Sequence, residues 1–291
     1  MSAWLFPGQG AQRTGMGAAL FDRYPGQAEA ASDLLGWSVR AVCLCGDGRL
    51  DQTEFTQPAL FVVNALSCAA RREQAGQEPD YLAGHSLGEL SALHAAGSMD
   101  YLDGVRVTAR RGELMARCRG GGMAVVLGMS EQEVRGVLDR SGTDLEIAGL
   151  NAPAQVAVSG ELSVVERARE VFLAAGAGDY VRLRVSGAFH SRHMAPAATA
   201  FARYLAGVRL RPPRIPVISN VTARPYNGPL ADPLVAQLTS CVRWTDSIGY
   251  LIAAGAGDIE QVGPGKGIEK LVRSIRQQHA ARPRDIVGGR A

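Results

Sequence analysis

The stretch Gly84-His85-Ser86-Leu87-Gly88 constrains the fold more than any other, because it reads as a serine lifted on a sharp turn between a strand and a helix. Glycines at the first and fifth positions remove side chains where strand and helix cross, and glycine tolerates the strained dihedrals such a turn needs. Ahead of it, Tyr81-Leu82-Ala83 suits a short buried strand; behind it, Leu90, Ala92, Leu93, Ala95 and Ala96 recur at helical spacing. Ser86 then stands at a helix N-terminus, where free N–H groups and the helix dipole favour developing negative charge. With 35 glycines in 291 residues the pattern also arises by chance, and the alternative is a serine that merely caps a helix in a glycine turn.

A second glycine turn, Pro7-Gly8-Gln9-Gly10-Ala11-Gln12, follows the apolar run Ala3 to Phe6. A buried strand there delivers bare backbone N–H groups to a loop, although a plain surface turn would read the same. Residues 58–72, with Pro58 at the first helical position, are expected to form a helix, and Asp100 to start another that runs to about Arg117. On this second helix Arg110 shares its face with Arg106 and Glu113, whereas Arg111 shares its face with Val107, Leu114 and Met115. A guanidinium on an apolar face cannot shed its charge and is costly to bury unless an anion meets it. Either a structural Asp or Glu or the carboxylate of a ligand would serve.

From Gly121 the texture changes to strand, helix, strand, strand, helix, strand over about 65 residues, the βαββαβ order of a ferredoxin-like unit. The expected architecture is therefore α/β: a large domain over residues 1–120 and 188–291, interrupted by a small ferredoxin-like subdomain at 121–187. Ile215 to Val221 and Asp258 to Val262 read as further buried strands, a helix from about Ile268 to Gln278 closes the fold, and the arginine-rich tail beyond is expected to fray. The turn Gly263-Pro264-Gly265-Lys266-Gly267 lacks the spacing of a phosphate-binding loop.

Composition removes several function classes. A hydrophobic fraction of 46% with 20% charge is that of a globular chain, and a net charge of +3 gives no case for nucleic acid. The N-terminus lacks the basic start and long apolar run of a signal peptide, and no apolar run reaches membrane-spanning length, so a cytoplasmic location is expected. Five cysteines, Cys43, Cys45, Cys68, Cys118 and Cys241, show no metal or disulfide spacing and read as buried free thiols.

A serine nucleophile needs a general base within hydrogen-bond reach, and there are five histidines. His85 should leave on the other side of the turn, His94 lies two turns down the helix, and His279 stands in the terminal helix. His190 and His193 remain, both in the loop Ser186 to Met194 where the two expected domains meet, and His190 is preferred because Phe189 walls it. An α/β-hydrolase places its histidine late, whereas about 100 residues follow His190, so that topology fits poorly.

Six motifs in order, Phe6-Pro-Gly-Gln-Gly-Ala-Gln12, Thr56-Gln-Pro-Ala59, Gly84-His-Ser-Leu-Gly-Glu89, Arg111-Gly-Glu-Leu-Met115, Gly187-Ala-Phe-His-Ser191 and Val262-Gly-Pro-Gly-Lys266, resemble the malonyl-CoA:acyl carrier protein transacylases from end to end. The resemblance implies a hydrolase-like core with a ferredoxin-like insert, acting in fatty-acid or polyketide synthesis. It implies Ser86 as the acylated nucleophile, His190 as its base, and Arg111 as partner of the malonyl carboxylate. It further implies an oxyanion hole from the backbone N–H groups of Gln9 and Leu87, Gln57 lining the pocket, and the backbone carbonyl of Gln237 orienting the histidine in place of an acid. Phe189 resembles the residue that crowds an α-methyl branch in malonyl-selective members, a preference worth about 1–3 kcal/mol; Gly187 departs from the His of many synthase domains. The expected partners are a phosphopantetheinylated acyl carrier protein and malonyl-CoA as substrate, with no metal, no tightly bound cofactor, no nucleic acid and no membrane, and the chain is expected to be a monomer. The rivals are a serine hydrolase of acyl carrier proteins, a transacylase for a non-malonyl group already on a carrier, and an idle scaffold that docks carriers.

Overall fold

The computed structural model describes residues 1–281, and the arginine-rich tail lies outside them. The chain enters through β1 (Ser2–Phe6) and returns beside it as β2 (Tyr81–Gly84). It then leaves to build β3 (Gly121–Leu127), β4 (Leu145–Ala152), β5 (Gln155–Glu161) and β6 (Asp179–Arg182), and comes back as β7 (Val217–Ile218) and β8 (Asp258–Gln261).

The first sheet has the order β7-β2-β1-β8 and is parallel throughout, with Phe6 opposite Gly84. Both faces are covered, as a parallel sheet requires. Trp4, Phe6 and Leu82 pack on the side of the helices Thr53–Ala75 and Leu87–Ala95, while Ala3, Leu5 and Ala83 pack against Trp244, Ile248 and Val272 on the other.

The second sheet, β4-β5-β3-β6, is antiparallel. Its strands run second, third, first, fourth, the ferredoxin-like arrangement that the βαββαβ order implied. Side chains alternate across it. Ala124, Val126, Val156 and Val158 pack under the helices Glu131–Ser141 and Leu162–Ala174, the first of which opens on a Ser130–Glu133 capping box. Met123, Val125, Ala148 and Ala157 on the opposite face join the core of the first sheet. The two sheets thus share one apolar seam.

Three expectations need correction. The helix expected from Pro58 begins five residues earlier, at Thr53, so Pro58 sits in its second turn, where its missing N–H deprives only the Glu54 carbonyl. The apolar run 215–221 is a strand only over Val217–Ile218. There the chain doubles back, with Ser219 N–H donating to the Arg224 carbonyl, because Asn220 is drawn into the serine turn. Cys43 and Cys68 are buried thiols, but Cys45 is exposed and Cys118 and Cys241 are half-buried. Among the described residues no helix is long and apolar enough to cross a membrane.

Candidate active site

Ser86 follows β2 after one residue, His85, and directly precedes the helix Leu87–Ala95, with φ 51° and ψ −108°. A left-handed φ on a residue with a side chain costs about 1–3 kcal/mol and persists only where the surroundings dictate it. Here they do. A Cβ on Gly84 would stand 1.9 Å from the Gly88 carbonyl carbon, and one on Gly88 would stand 2.1 Å from the Phe6 oxygen. Asn220 then pins the turn: its Oδ1 accepts the Ser86 N–H at 2.7 Å and its Nδ2 donates to the Gly84 carbonyl at 2.7 Å.

His190 is the second of only three non-glycine residues with positive φ among those described, at 59°. Its loop is braced by the Ser191 hydroxyl, which donates to the Ala188 carbonyl at 2.6 Å. The ring lies between two partners: Nε2 is 2.8 Å from Ser86 Oγ, and Nδ1 is 2.8 Å from the Gln237 carbonyl. A carbonyl can only accept, so Nδ1 carries the proton and Nε2 is left to receive the one on Ser86. Burial pushes the imidazole pKa down to about 3, the nearby Arg111 charge pushes the same way, and the bond to Gln237 opposes both. The ring is therefore a neutral base at neutral pH.

The other histidines fall elsewhere. His193 is exposed and borders a separate groove with Arg117 and Cys118. His85 turns to Asn151 Oδ1 at 2.9 Å, its ring 5.4 Å from that of Trp244. His94 packs against Phe61 and Tyr101.

Arg111 is 1% exposed. Its Nη1 donates to Gln57 Oε1 at 2.8 Å, and its Nη2 donates to Gln237 Oε1 at 2.7 Å and to Ser86 Oγ at 3.2 Å. Of the two anions left open for this cation, the internal one makes no direct ion pair: among the described residues no carboxylate lies within ion-pair distance of it. Burial lowers its pKa to about 10, with the Glu89 charge opposing. At neutral pH the guanidinium stays charged.

A cleft of about 540 Å³ opens between the two sheets in front of these groups. Gln9, Gln57, Ser86, Phe189 and His190 line it from one side and Met123, Val125 and Ala148 from the other. Arg111 is not part of the lining and reaches the cleft through the Nη2 that touches Ser86. The glycine turn after β1 packs hard on the elbow, since a Cβ on Gly8 would stand 2.2 Å from the His85 oxygen. With the Ser86 N–H taken by Asn220, the N–H groups of Gln9 and Leu87 find no acceptor among the described residues. They are free to receive an oxyanion.

Four groups that sequence reasoning missed complete the site: Asn220, Glu89, Tyr226 and the side chain of Gln237. Glu89 left a trace, as the lone acid in a helix otherwise built from Leu87, Leu90, Ala92 and Leu93. Asn220 left another, as an amide inside the strand expected over 215–221.

Residues 3–254 match the model of the acyl transferase domain family. The polyketide biosynthesis protein ThaF of Burkholderia thailandensis is 48% identical over 96% of this chain, which spans only 24% of ThaF. The polyketide biosynthesis malonyl CoA-acyl carrier protein transacylase PksC of Bacillus subtilis is 42% identical over 98% of this chain and 100% of its own length. Among solved structures, a malonyl CoA-acyl carrier protein transacylase of Burkholderia pseudomallei superposes with a TM-score of 0.92 at 46% identity, over 96% of this chain and 98% of its own. A malonyl-transacylase in complex with its type II polyketide acyl carrier protein superposes with a TM-score of 0.90 at 34% identity, over 94% and 93%.

Proposed function

The chain belongs to the malonyl-CoA:acyl carrier protein transacylase family, and on that premise we propose that it moves a malonyl group from malonyl-CoA to the phosphopantetheine thiol of an acyl carrier protein by way of an ester on Ser86. His190 Nε2 takes the hydroxyl proton as Ser86 Oγ attacks the thioester carbon. The carbonyl oxygen becomes an oxyanion held by the N–H groups of Gln9 and Leu87. Collapse expels the CoA thiolate, which takes the proton back from His190, and malonyl-Ser86 remains. The carrier thiol then gives its proton to His190 and attacks the ester carbon. Ser86 leaves as an alkoxide that recovers the proton. Gln237, through its carbonyl, keeps the imidazole in the tautomer that both half-reactions need. The chemistry calls for no metal and no redox cofactor.

One observation carries the malonyl reading: a buried, charged Arg111 with no carboxylate in ion-pair contact, 3.2 Å from the nucleophile. An enzyme for neutral acyl chains gains nothing from such a group, whereas a diacid bonded to Ser86 at one end presents its free carboxylate to the guanidinium at the other.

Mass spectrometry of the intact protein after exposure to malonyl-CoA or acetyl-CoA, with and without carrier protein, tests this. A malonyl adduct on Ser86 that survives in buffer and discharges when carrier is added is the expected result. Rapid loss of the adduct in water alone would identify a hydrolase instead.

A further inference from the structure

Glu89 is the only Asp or Glu buried among the described residues, and the reaction as derived makes no use of it. It sits on the first turn of the helix Leu87–Ala95, three residues after the nucleophile and 0% exposed. Its Oε1 accepts from the Tyr226 hydroxyl, and its Oε2 accepts from the Asn220 N–H at 3.2 Å and from Gln237 Nε2. The same Gln237 amide turns Oε1 to Arg111 Nη2 at 2.7 Å. Arg111 can only donate, and the Glu89 oxygens are met by donors on every side. The amide between them therefore has a single orientation that satisfies both ends.

We infer that Glu89 is the counter-charge of Arg111, relayed across the Gln237 amide, and that it sets how firmly the site holds the free carboxylate of an incoming acyl donor. The inference rests on the malonyl transfer proposed above. A buried guanidinium needs a negative partner, and without a direct ion pair this carboxylate one amide away is what the structure offers. An acyl carboxylate entering at Arg111 then meets attraction from the guanidinium and repulsion from Glu89. A cation half-neutralised from behind grips the diacid without trapping it, which suits an intermediate that has to leave.

The charge on Glu89 is itself adjustable. Burial pushes its pKa up to about 7, and Tyr226, Gln237, Asn220 and Arg111 hold it from rising further. The titratable groups that act on it are Tyr226, from the loop after β7, and Arg111, from the helix Tyr101–Arg117. Proton uptake by Glu89 removes the repulsion, so a donor with a free carboxylate should bind more weakly as pH rises through its titration. A donor without one should be indifferent.

The test compares KM for malonyl-CoA and acetyl-CoA in wild type, Glu89→Gln and Tyr226→Phe, across about two pH units centred on 7. Glu89→Gln keeps the geometry, because the amide oxygen can replace Oε2 while the Tyr226 hydroxyl rotates to accept from the new NH₂. It mimics protonated Glu89 at every pH. The wild-type KM for malonyl-CoA should rise about threefold to tenfold across the range. In Glu89→Gln it should stay low and flat, and in Tyr226→Phe the rise should move to higher pH, since a bond that favours the carboxylate is gone. Acetyl-CoA carries the same phosphates, so its KM in each protein controls for their titration and for any change in the site at large, and the malonyl-CoA shift is read as the ratio of the two. A malonyl-CoA KM in Glu89→Gln equal to or above wild type at the alkaline end, or an acetyl-CoA KM that moves with it, would overturn the inference alone. Wild-type protein that transfers no malonyl group would overturn the proposed function and this inference with it.

Discussion

Replacing Arg111 by alanine separates recognition of the free carboxylate from catalysis of acyl transfer. In the malonyl complex the guanidinium offers charge-assisted hydrogen bonds inside a cleft walled by Phe189, Met115 and Met123. Hydrogen bonds to charged groups contribute about 1.5–3 kcal/mol each, and truncating one partner of a buried, bonded charge pair costs about 2–5 kcal/mol. Taking about 3–5 kcal/mol for a bidentate pair, kcat/KM for malonyl-CoA should fall about 10²- to 10⁴-fold at 1.36 kcal/mol per decade. Acetyl-CoA loses no bond to its own acyl group, only the bond from Nη2 to Ser86 Oγ, long at 3.2 Å, and the support that Arg111 gives the Gln57 and Gln237 amides. About tenfold covers that loss. The ratio of malonyl to acetyl transfer should therefore drop at least about tenfold, and by as much as about a thousandfold.

The pH dependence of the residual acetyl transfer supplies a second, independent check. Arg111 is the second cause, after burial, that holds the His190 pKa down near 3. Without that charge the imidazolium is less disfavoured, the pKa rises, and the acid limb of kcat/KM moves to higher pH. The assay is transfer from each acyl-CoA to holo carrier protein over a pH series, read by mass spectrometry of the carrier. Equal losses on the two donors with an unmoved acid limb would show that Arg111 only supports the fold, and the reading of the pocket would fall.

Phe189→Ser should open the cleft to a methyl branch, raising methylmalonyl relative to malonyl transfer by about tenfold or more in a competition assay; an unchanged ratio would remove Phe189 from selection. Asn220→Ala leaves the Ser86 N–H and the Gly84 carbonyl without partners, at about 1–3 kcal/mol each. It should lower kcat on malonyl-CoA and acetyl-CoA alike while shifting urea unfolding to lower concentration. Stability should fall on acidification from pH 7 to 5. The buried rings of His85, His94 and His190 have pKa values below their ordinary 6.5, so below that pH the unfolded chain binds protons the folded one refuses. Glu89 acts in the opposite sense: raised from 4.5 to about 7, it stabilises fully below pH 4.5 and loses that effect as pH rises through 7. The thermal midpoint of Glu89→Gln should therefore decline more steeply toward pH 5 than that of wild type.

What the sequence discloses about this site follows the range of the forces involved. The elbow is a local event, since two glycines and one serine within five residues meet a steric demand that Gly84 and Gly88 carry alone, and it was legible. Arg111 was legible from helical spacing, which put a charge among Val107, Leu114 and Met115. Elimination narrowed the base to His190 and His193, with Phe189 favouring the first, whereas the Gln237 carbonyl that orients His190 came only through family resemblance. A backbone acceptor leaves no mark on residue type. Asn220, Glu89 and Tyr226 act through contacts spanning more than a hundred residues, and no periodicity encodes those. The same forces explain the shortened strand after residue 216: apolar character argued for continuation past Ile218, but two hydrogen bonds from Asn220 to the elbow outweighed one more ladder step.

The strained residues and the buried polar network belong to one design. Ser86 and His190 both hold positive φ, and neither turn would keep its shape in water, where a relaxed backbone is about 1–3 kcal/mol lower for each. What holds them is a chain of buried bonds in which Asn220 ties Gly84 to Ser86, Glu89 ties Asn220 to Gln237, and Gln237 ties His190 to Arg111. The members come from five separate segments of the chain, so Ser86, His190 and Arg111 come together only when the segments flanking the parallel sheet have docked. The apolar face of the antiparallel sheet then walls the cleft from the far side, so that on the proposed mechanism the oxyanion and the ester would form against Met123, Val125 and Ala148.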